Sequence, residues 1–272
     1  MAALRLLAVL AHPDDETLGF GGVLARSAAE GIETFLVTAT RGEGGRHCGV
    51  RPGEDRHPGS DVLGELRESE LRAAAAALGL HGVSQLGYPD GRLDGADPSD
   101  VLARLVAEIR RCRPHVVTTF APDGAYGHPD HVAISQLTTA ACMAAGHADG
   151  PSGTGSPHAV SKLYYLAWPA SMWTAYERAF HVLGSTVDGV QRRPVPWPDW
   201  AITTVVDTRA AAPAVWRAVA CHASQVAGYG TLTRLEADER DALWSRQHFY
   251  RAYSLVNGGR RVELDLFEGL RP

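Results

Sequence analysis

Leu4-Arg5-Leu6-Leu7-Ala8-Val9-Leu10-Ala11-His12-Pro13-Asp14-Asp15-Glu16 decides how this chain is read. Residues 4–10 are apolar save for Arg5 and have the length of one strand. Such runs suit a strand covered on both faces, as in a parallel sheet. The run then breaks into an imidazole and three carboxylates within five residues, His12 to Glu16. Residues 17–29 follow as a helix that Gly31 ends, and residues 34–40, β-branched and apolar, form the second strand. Together they make one strand–helix–strand unit of the usual size.

The alternation continues. Residues 41–64 are rich in Gly, Arg, His, Pro and Asp and read as a long loop of the kind that carries function. Residues 66–78 are a helix closed by Gly79, residues 83–86 a short strand, and residues 87–91 a turn. Asp100 is placed to cap a helix over 101–111. Pro114 introduces a strand over 115–120, and Pro129 opens a helix reaching Ala145. Beyond it, residues 146–157 are Gly/Ser/Pro-rich and read as a linker. Residues 162–168 are an alternating strand, 169–180 helical, 188–200 irregular and 202–207 a strand. Residues 212–226 and 236–249 read as helices, and 261–267 as an edge strand. The expected fold is α/β and Rossmann-like: a mostly parallel sheet flanked by helices, with a more irregular C-terminal portion. The expected organisation is one domain over 1–272, with a metal-binding core at 1–145 and an extension at 146–272 that shapes the pocket.

Composition narrows the classes. A net charge of −5 and a pI near 6.2 argue against a dedicated nucleic-acid binder. The four cysteines are scattered, with no Cys-x-x-Cys, so neither a disulfide framework nor a sulfur zinc site is expected. Residues 1–10 lack the charged start and cleavage site of a leader, and no run approaches a membrane span, so a reduced, cytoplasmic protein is expected. Gly19-Phe20-Gly21-Gly22 is not the Gly-x-Gly-x-x-Gly fingerprint, so no dinucleotide site is expected after the first strand. A homo-oligomer is compatible with all of this.

A second cluster, His128-Pro129-Asp130-His131, also follows an apolar run and opens a helix. A hydrolytic zinc site needs about three protein ligands and one open position. His12 and Asp15, three residues apart across a strand-to-helix turn, can share one ion, and His131 can complete a two-histidine, one-carboxylate set. Asp14 can then act as general base toward water, a protonated His128 can stabilise an oxyanion, and Asp130 can orient a histidine. In a parallel sheet, His12 to Asp15, Glu43, Asp90 and the loop before His128 all follow strands, so they can converge on one crevice. Either motif alone is more often a helix cap than a ligand set; the pair is what carries the metal reading.

The two clusters resemble the LmbE-like, or PIG-L, zinc de-N-acetylases, strongly over residues 1–145 and thinly after. That family includes deacetylases of mycothiol, bacillithiol, glycosylphosphatidylinositol and antibiotic synthesis. The resemblance implies zinc, or another divalent transition metal, on His12, Asp15 and His131, with Asp14 as base and His128 as acid or oxyanion stabiliser. It also implies substrate contacts from Arg67, in Arg67-Glu68-Ser69-Glu70-Leu71, and from Asp90, Glu43 and Tyr126. His222-Ala223-Ser224-Gln225 is similar to a common family segment, with His222 near the pocket mouth or packed in a helix. The implied reaction is hydrolysis of an N-acetyl amide on a 2-acetamido sugar or sugar-containing metabolite. Three alternatives stand beside it: an amidase on a larger sugar or thiol conjugate, an iron(II) oxygenase and an inactive sugar-binding protein. The oxygenase triad prefers a double-sheet β fold, and the intact base and ligands argue against a dead binder. Residues 41–64 and 146–200 fall outside the family pattern and are where substrate choice is expected to lie.

Overall fold

The computed structural model describes residues 3–150, 153–180, 185–187, 190–193, 195–229, 231–257, 259 and 261–271. Its strands, in chain order, are β1 (Arg5–Leu10), β2 (Glu33–Thr40), β3 (Gly82–Tyr88), β4 (Val116–Phe120), β5 (Lys162–Leu166), β6 (Ser185–Val187), β7 (Val190–Arg192), β8 (Thr204–Asp207) and β9 (Arg246–Ser254). Seven of them form one sheet in the order β3-β2-β1-β4-β5-β9-β8, while β6 and β7 pair as a separate hairpin. Strands β1 to β5 are parallel, and β9 runs antiparallel to both β5 and β8.

The physical cause is the one the opening stretch announces. Leu6 to Leu10 are completely buried, because helices cover both faces of the sheet there. Helices Gly21–Ala29, Ser60–Leu78 and Ala212–Cys221 pack together in one layer, and Pro98–Cys112 packs on Pro129–Ala145 in another. From β1 the chain winds outward through β2 to β3, then returns to β4 on the other side of β1. Strand order therefore reverses between β1 and β4, and the crevice at their carboxyl ends is where ligands bind in such sheets. His12 follows β1 and His128 follows β4, so the topology alone brings the two clusters together.

The glycines of Gly19-Phe20-Gly21-Gly22 have a packing reason. A Cβ on Gly19 would meet Leu166 at 2.9 Å, and one on Gly22 would meet Thr208 at 2.7 Å. They allow the first helices to lie directly on the C-terminal elements.

Several boundaries and two elements depart from the sequence reading. The helix expected at 66–78 starts at Ser60, and the one expected at 101–111 starts at Pro98 with Asp97, not Asp100, accepting the capping N–H of Ser99. Residues 17–29 and 212–226 each divide into two helices. Residues 236–249 are helical only over Ala237–Trp244; from Arg246 the chain is β9. Here the backbone pairs antiparallel with β5 on one side and β8 on the other, and this tertiary pairing overrides local propensity. Residues 261–267 form no strand; they bend around Glu263, which makes a single bridge to Thr204. Part of the irregular 188–200 stretch lies outside the described residues, but Val190–Arg192 is β7 and Trp197 bridges Pro169. No described helix is long and apolar enough to cross a membrane.

Candidate metal centre and active site

The turn after β1 is built by hydrogen bonds among the cluster's own residues. The His12 N–H donates to Asp15 Oδ2 (2.8 Å), and the Asp14 carbonyl accepts the N–H groups of Thr17 and Leu18. Asp14 itself sits at φ 99°, ψ −27°, in the left-handed region. On the other side, His128 caps the helix that Pro129 begins. Its Nδ1 accepts the Asp130 N–H (3.2 Å), so in the neutral ring the proton belongs to Nε2.

Three ligand side chains face one another, two imidazoles and the Asp15 carboxylate. His12 Nδ1 lies 3.2 Å from His131 Nε2 and 3.6 Å from Asp15 Oδ2, and His131 Nε2 lies 3.4 Å from Asp15 Oδ1. An ion about 2.0–2.2 Å from each atom of a tetrahedral site spaces its ligands by about these distances. The residues thus fit a zinc-type ion. His131 is 1% exposed and its ring stacks on Phe120 at 3.9 Å, which fixes its direction. A nitrogen of His128 also falls within 4.8 Å of ligand nitrogens of His12 and His131. This places it at the edge of the same site.

His12 Nε2 points the other way. It donates toward Asp90 Oδ1 (3.0 Å) and Asp130 Oδ2 (3.2 Å). These carboxylates also accept main-chain N–H groups, Asp130 from Gly91 (2.7 Å) and Leu93 (3.0 Å), and Asp90 from Gly44 (2.9 Å). His12, Asp90 and Asp130 could themselves be taken for a ligand set. The filled hydrogen bonds argue instead that the two aspartates hold the His12 ring and leave Nδ1 its lone pair.

Electrostatics agree. Burial opposes charge on His12, but Asp130, Asp15 and Asp90 together raise its pKa well above the usual value, a surplus of negative charge that a cation would neutralise. Burial drives His131 down to about 3, so it presents a lone pair. Asp15 resists burial because His131 and His12 hold it far below the ordinary carboxylate range. Asp14 behaves oppositely: burial, opposed by Arg67 and helped by Asp15, raises it to about 6. Burial and the neighbouring His12 lower His128.

The expected substrate residues are all at the crevice. Arg67, 4% exposed, is turned inward: Nη1 donates to the Gly42 carbonyl (2.7 Å), while Nη2 donates to the Pro13 carbonyl and lies 3.3 Å from Asp14 Oδ2. Glu43 Oε1 accepts the Asp90 N–H (2.9 Å), and its Oε2 is buried without a partner. Asp90 backs His12. Tyr126 packs edge-on at 5.0 Å from the His131 ring, and burial raises its pKa well above the usual value. Glu16, Glu70, Ser224 and Gln225 lie within the sequence motifs, but sequence reasoning gave them no role in the site. Glu16 Oε2 accepts the Asp14 N–H (2.9 Å), and Glu70 accepts the Ser224 N–H (2.7 Å) and hydroxyl (2.6 Å). Gln225 Nε2 donates to the Arg46 carbonyl (2.8 Å). For Glu16 and Glu70 the signal was an acid on the inward face of a helix; for Ser224 and Gln225 it was the family-like segment His222-Ala223-Ser224-Gln225.

Comparison with known proteins agrees with the geometry. A family model described as GlcNAc-PI de-N-acetylase, PIG-L, matches residues 7–142. The chain is 38% identical to the 1D-myo-inositol 2-acetamido-2-deoxy-α-D-glucopyranoside deacetylase of Rhodococcus jostii, over 99% of each chain. Among solved structures, a conserved protein of Thermus thermophilus is 29% identical, covers 94% of this chain and 97% of its own, and has a TM-score of 0.66. The 4-carboxy-2-hydroxymuconate hydratase of Pseudomonas putida also has a TM-score of 0.66, at 20% identity, covering 94% of this chain and 99% of its own. That last likeness concerns the fold alone, so activity has to be argued from the full-length relative and the site.

Proposed function

Because the chain belongs to the PIG-L, or GlcNAc-PI de-N-acetylase, family, we propose that this metal-dependent N-deacetylase uses zinc and acts on a 2-acetamido sugar conjugate, an N-acetylglucosaminyl inositol foremost. The observation that carries the reading is the triangle of His12 Nδ1, His131 Nε2 and Asp15, with sides of 3.2–3.6 Å and with Asp14 next in the chain. When bound there, the ion supplies Lewis acidity to water and to the amide carbonyl.

The chain's own residues do the rest. Asp14, with its pKa raised to about 6, accepts the proton of the attacking water. His128 presents Nε2–H toward the oxygen that gains charge and toward the leaving nitrogen. Asp130 and Asp90 hold His12 in one tautomer, and Arg67 fixes the Asp14 carboxylate. Water adds to the carbonyl as Asp14 takes its proton, the C–N bond breaks as that proton passes to the leaving nitrogen, and acetate and a free amine leave. Glu43 and Tyr126 line the crevice where the sugar would sit.

The test pairs metal content with acetate release from 2-acetamido sugars, their inositol conjugates and thiol conjugates. About one zinc per chain, lost in Asp15→Ala, with acetate released fastest from the inositol conjugate, is the expected result. Failure to take up zinc, or equal turnover after exhaustive chelation, would overturn it.

A further inference from the structure

His222 is 1% exposed and Glu16 is wholly buried, and no step above uses either. The His222 Nε2–H donates to Glu16 Oε1 over 2.6 Å. The other oxygen, Oε2, accepts the main-chain N–H of Asp14. One carboxylate therefore ties the break between helices Ala212–Cys221 and Ala223–Val226 to the amide of the proposed base, 206 residues and more away in sequence.

That amide needs a directed acceptor. With φ at 99°, Asp14 lies outside the range of a helical residue, and its N–H has no place in the helix that follows. Glu16 supplies the acceptor, and His222 fixes which way the Glu16 carboxylate faces. The same break reaches Asp14 by a second route. Ser224 is held by Glu70 on helix Ser60–Leu78, and that helix also carries Arg67, whose guanidinium meets the Asp14 carboxylate. A buried ion pair is by itself weak evidence of stabilisation. A pair whose far end is the backbone of the reacting residue has a more specific use.

We infer that Glu16 and His222 are positioning residues, which hold the Asp14 main chain in its left-handed conformation and so aim its carboxylate. The inference rests on the role proposed for Asp14 above. It is tested in the full chain with His222→Phe, which keeps volume but removes the donor, and His222→Gln, which returns an N–H at the reach of Nε2. Zinc content, KM and kcat are measured on a substrate that the wild type deacetylates. Both variants are expected to hold the wild-type amount of zinc with unchanged KM. The Phe variant loses about 10–100-fold in kcat, and the Gln variant returns to within about threefold of wild type. Amide hydrogen exchange at Asp14 reads the same pair without turnover, with protection falling about tenfold in the Phe variant and returning in the Gln variant. Wild-type kcat in the Phe variant overturns the inference, as does a Gln variant as slow as the Phe variant, or a loss of kcat matched by loss of zinc. A wild type that deacetylates nothing would refute the function and leave the exchange measurement to decide the pair.

Discussion

Asp14 occupies a backbone conformation that costs a non-glycine residue about 1–3 kcal/mol, and such strain persists where the surroundings over-determine it. Here they do: Glu16 holds its N–H, Thr17 and Leu18 hold its carbonyl, and Arg67 meets its carboxylate. Asparagine has the same shape and tolerates the left-handed region, so Asp14→Asn is expected to keep its fold and zinc while losing about 10²–10⁴-fold in kcat, read by acetate release beside metal analysis. Full turnover in that variant would remove Asp14 from the role of base. For His128→Asn, whose amide oxygen can still accept the Asp130 N–H, zinc is again expected to stay while kcat falls about 10²–10³-fold, since the Nε2 donor is lost; a drop in zinc instead would make His128 a ligand. At this scale the sequence was readable because both clusters put ligand-type side chains within a few residues, each at a strand-to-helix turn. Glu16 and His222 were not readable as a pair, because nothing local joins positions so far apart. Arg67 was readable as a site residue, but its inward orientation depends on where the Pro13 and Gly42 carbonyls come to lie.

At the scale of elements, helix Gly21–Ala29 shows how the N-terminal unit is seated on the C-terminal one. Gln247 of β9 accepts the Val23 N–H (2.7 Å) through Oε1 and donates to the Gly19 carbonyl (2.8 Å) through Nε2. Gly22 lies against Thr208, whose hydroxyl is committed to the Trp244 carbonyl (2.6 Å), so Thr208 has little freedom to move aside. Alanine at a helical glycine ordinarily stabilises by up to about 1 kcal/mol. Overpacking against a fixed neighbour costs about 1–3 kcal/mol, and the contact here decides the sign. Gly22→Ala is therefore expected to destabilise by about 1–2 kcal/mol, measured as a lower urea midpoint at unchanged slope; a raised midpoint would show that Thr208 yields. The strands β1, β2 and β4 were legible because continuous apolar runs between turn signals have one stable use in an α/β sheet. β9 was not, because its sequence, Arg246-Gln247-His248-Phe249-Tyr250-Arg251, has no clean alternation and takes its meaning from β5 and β8, which flank it.

At the scale of the whole molecule, the chain is closed by a buried polar hub that the sequence hid inside an expected edge strand. Glu263 is 1% exposed and accepts from Lys162 Nζ (2.7 Å), Tyr164 Oη (2.6 Å), Asn257 Nδ2 (2.6 Å), Arg251 Nη1 (2.8 Å) and Thr204 Oγ1 (3.0 Å). Four of these five donors lie on three strands of the sheet, Lys162 and Tyr164 on β5, Arg251 on β9 and Thr204 on β8, so one carboxylate pins the tail across its antiparallel edge. Removing either member is not symmetric. Glu263→Ala strands Lys162, completely buried, with only the Glu268 carbonyl (2.9 Å), and is expected to cost about 3–5 kcal/mol. Lys162→Met leaves Glu263 its other donors and is expected to cost less. The pH dependence follows from the acid. Burial alone would raise its pKa, but Lys162, Tyr164 and Asn257 outweigh it and hold the carboxyl at about 2 instead of the ordinary 4.5. Burial acts in the opposite sense on Lys162, whose pKa is lowered in spite of Glu263. At the acid end only the carboxylate titrates. A depressed carboxylate pKa means stability that is complete above about 4.5 and is lost as the pH falls through about 2. The difference in unfolding free energy between wild type and Glu263→Gln should therefore hold steady from neutral pH to about 5 and shrink below that, in urea titrations at stepped pH. A difference that stays constant down to pH 2 would mean that the hub works by packing and hydrogen bonding, with no contribution from the charge on Glu263.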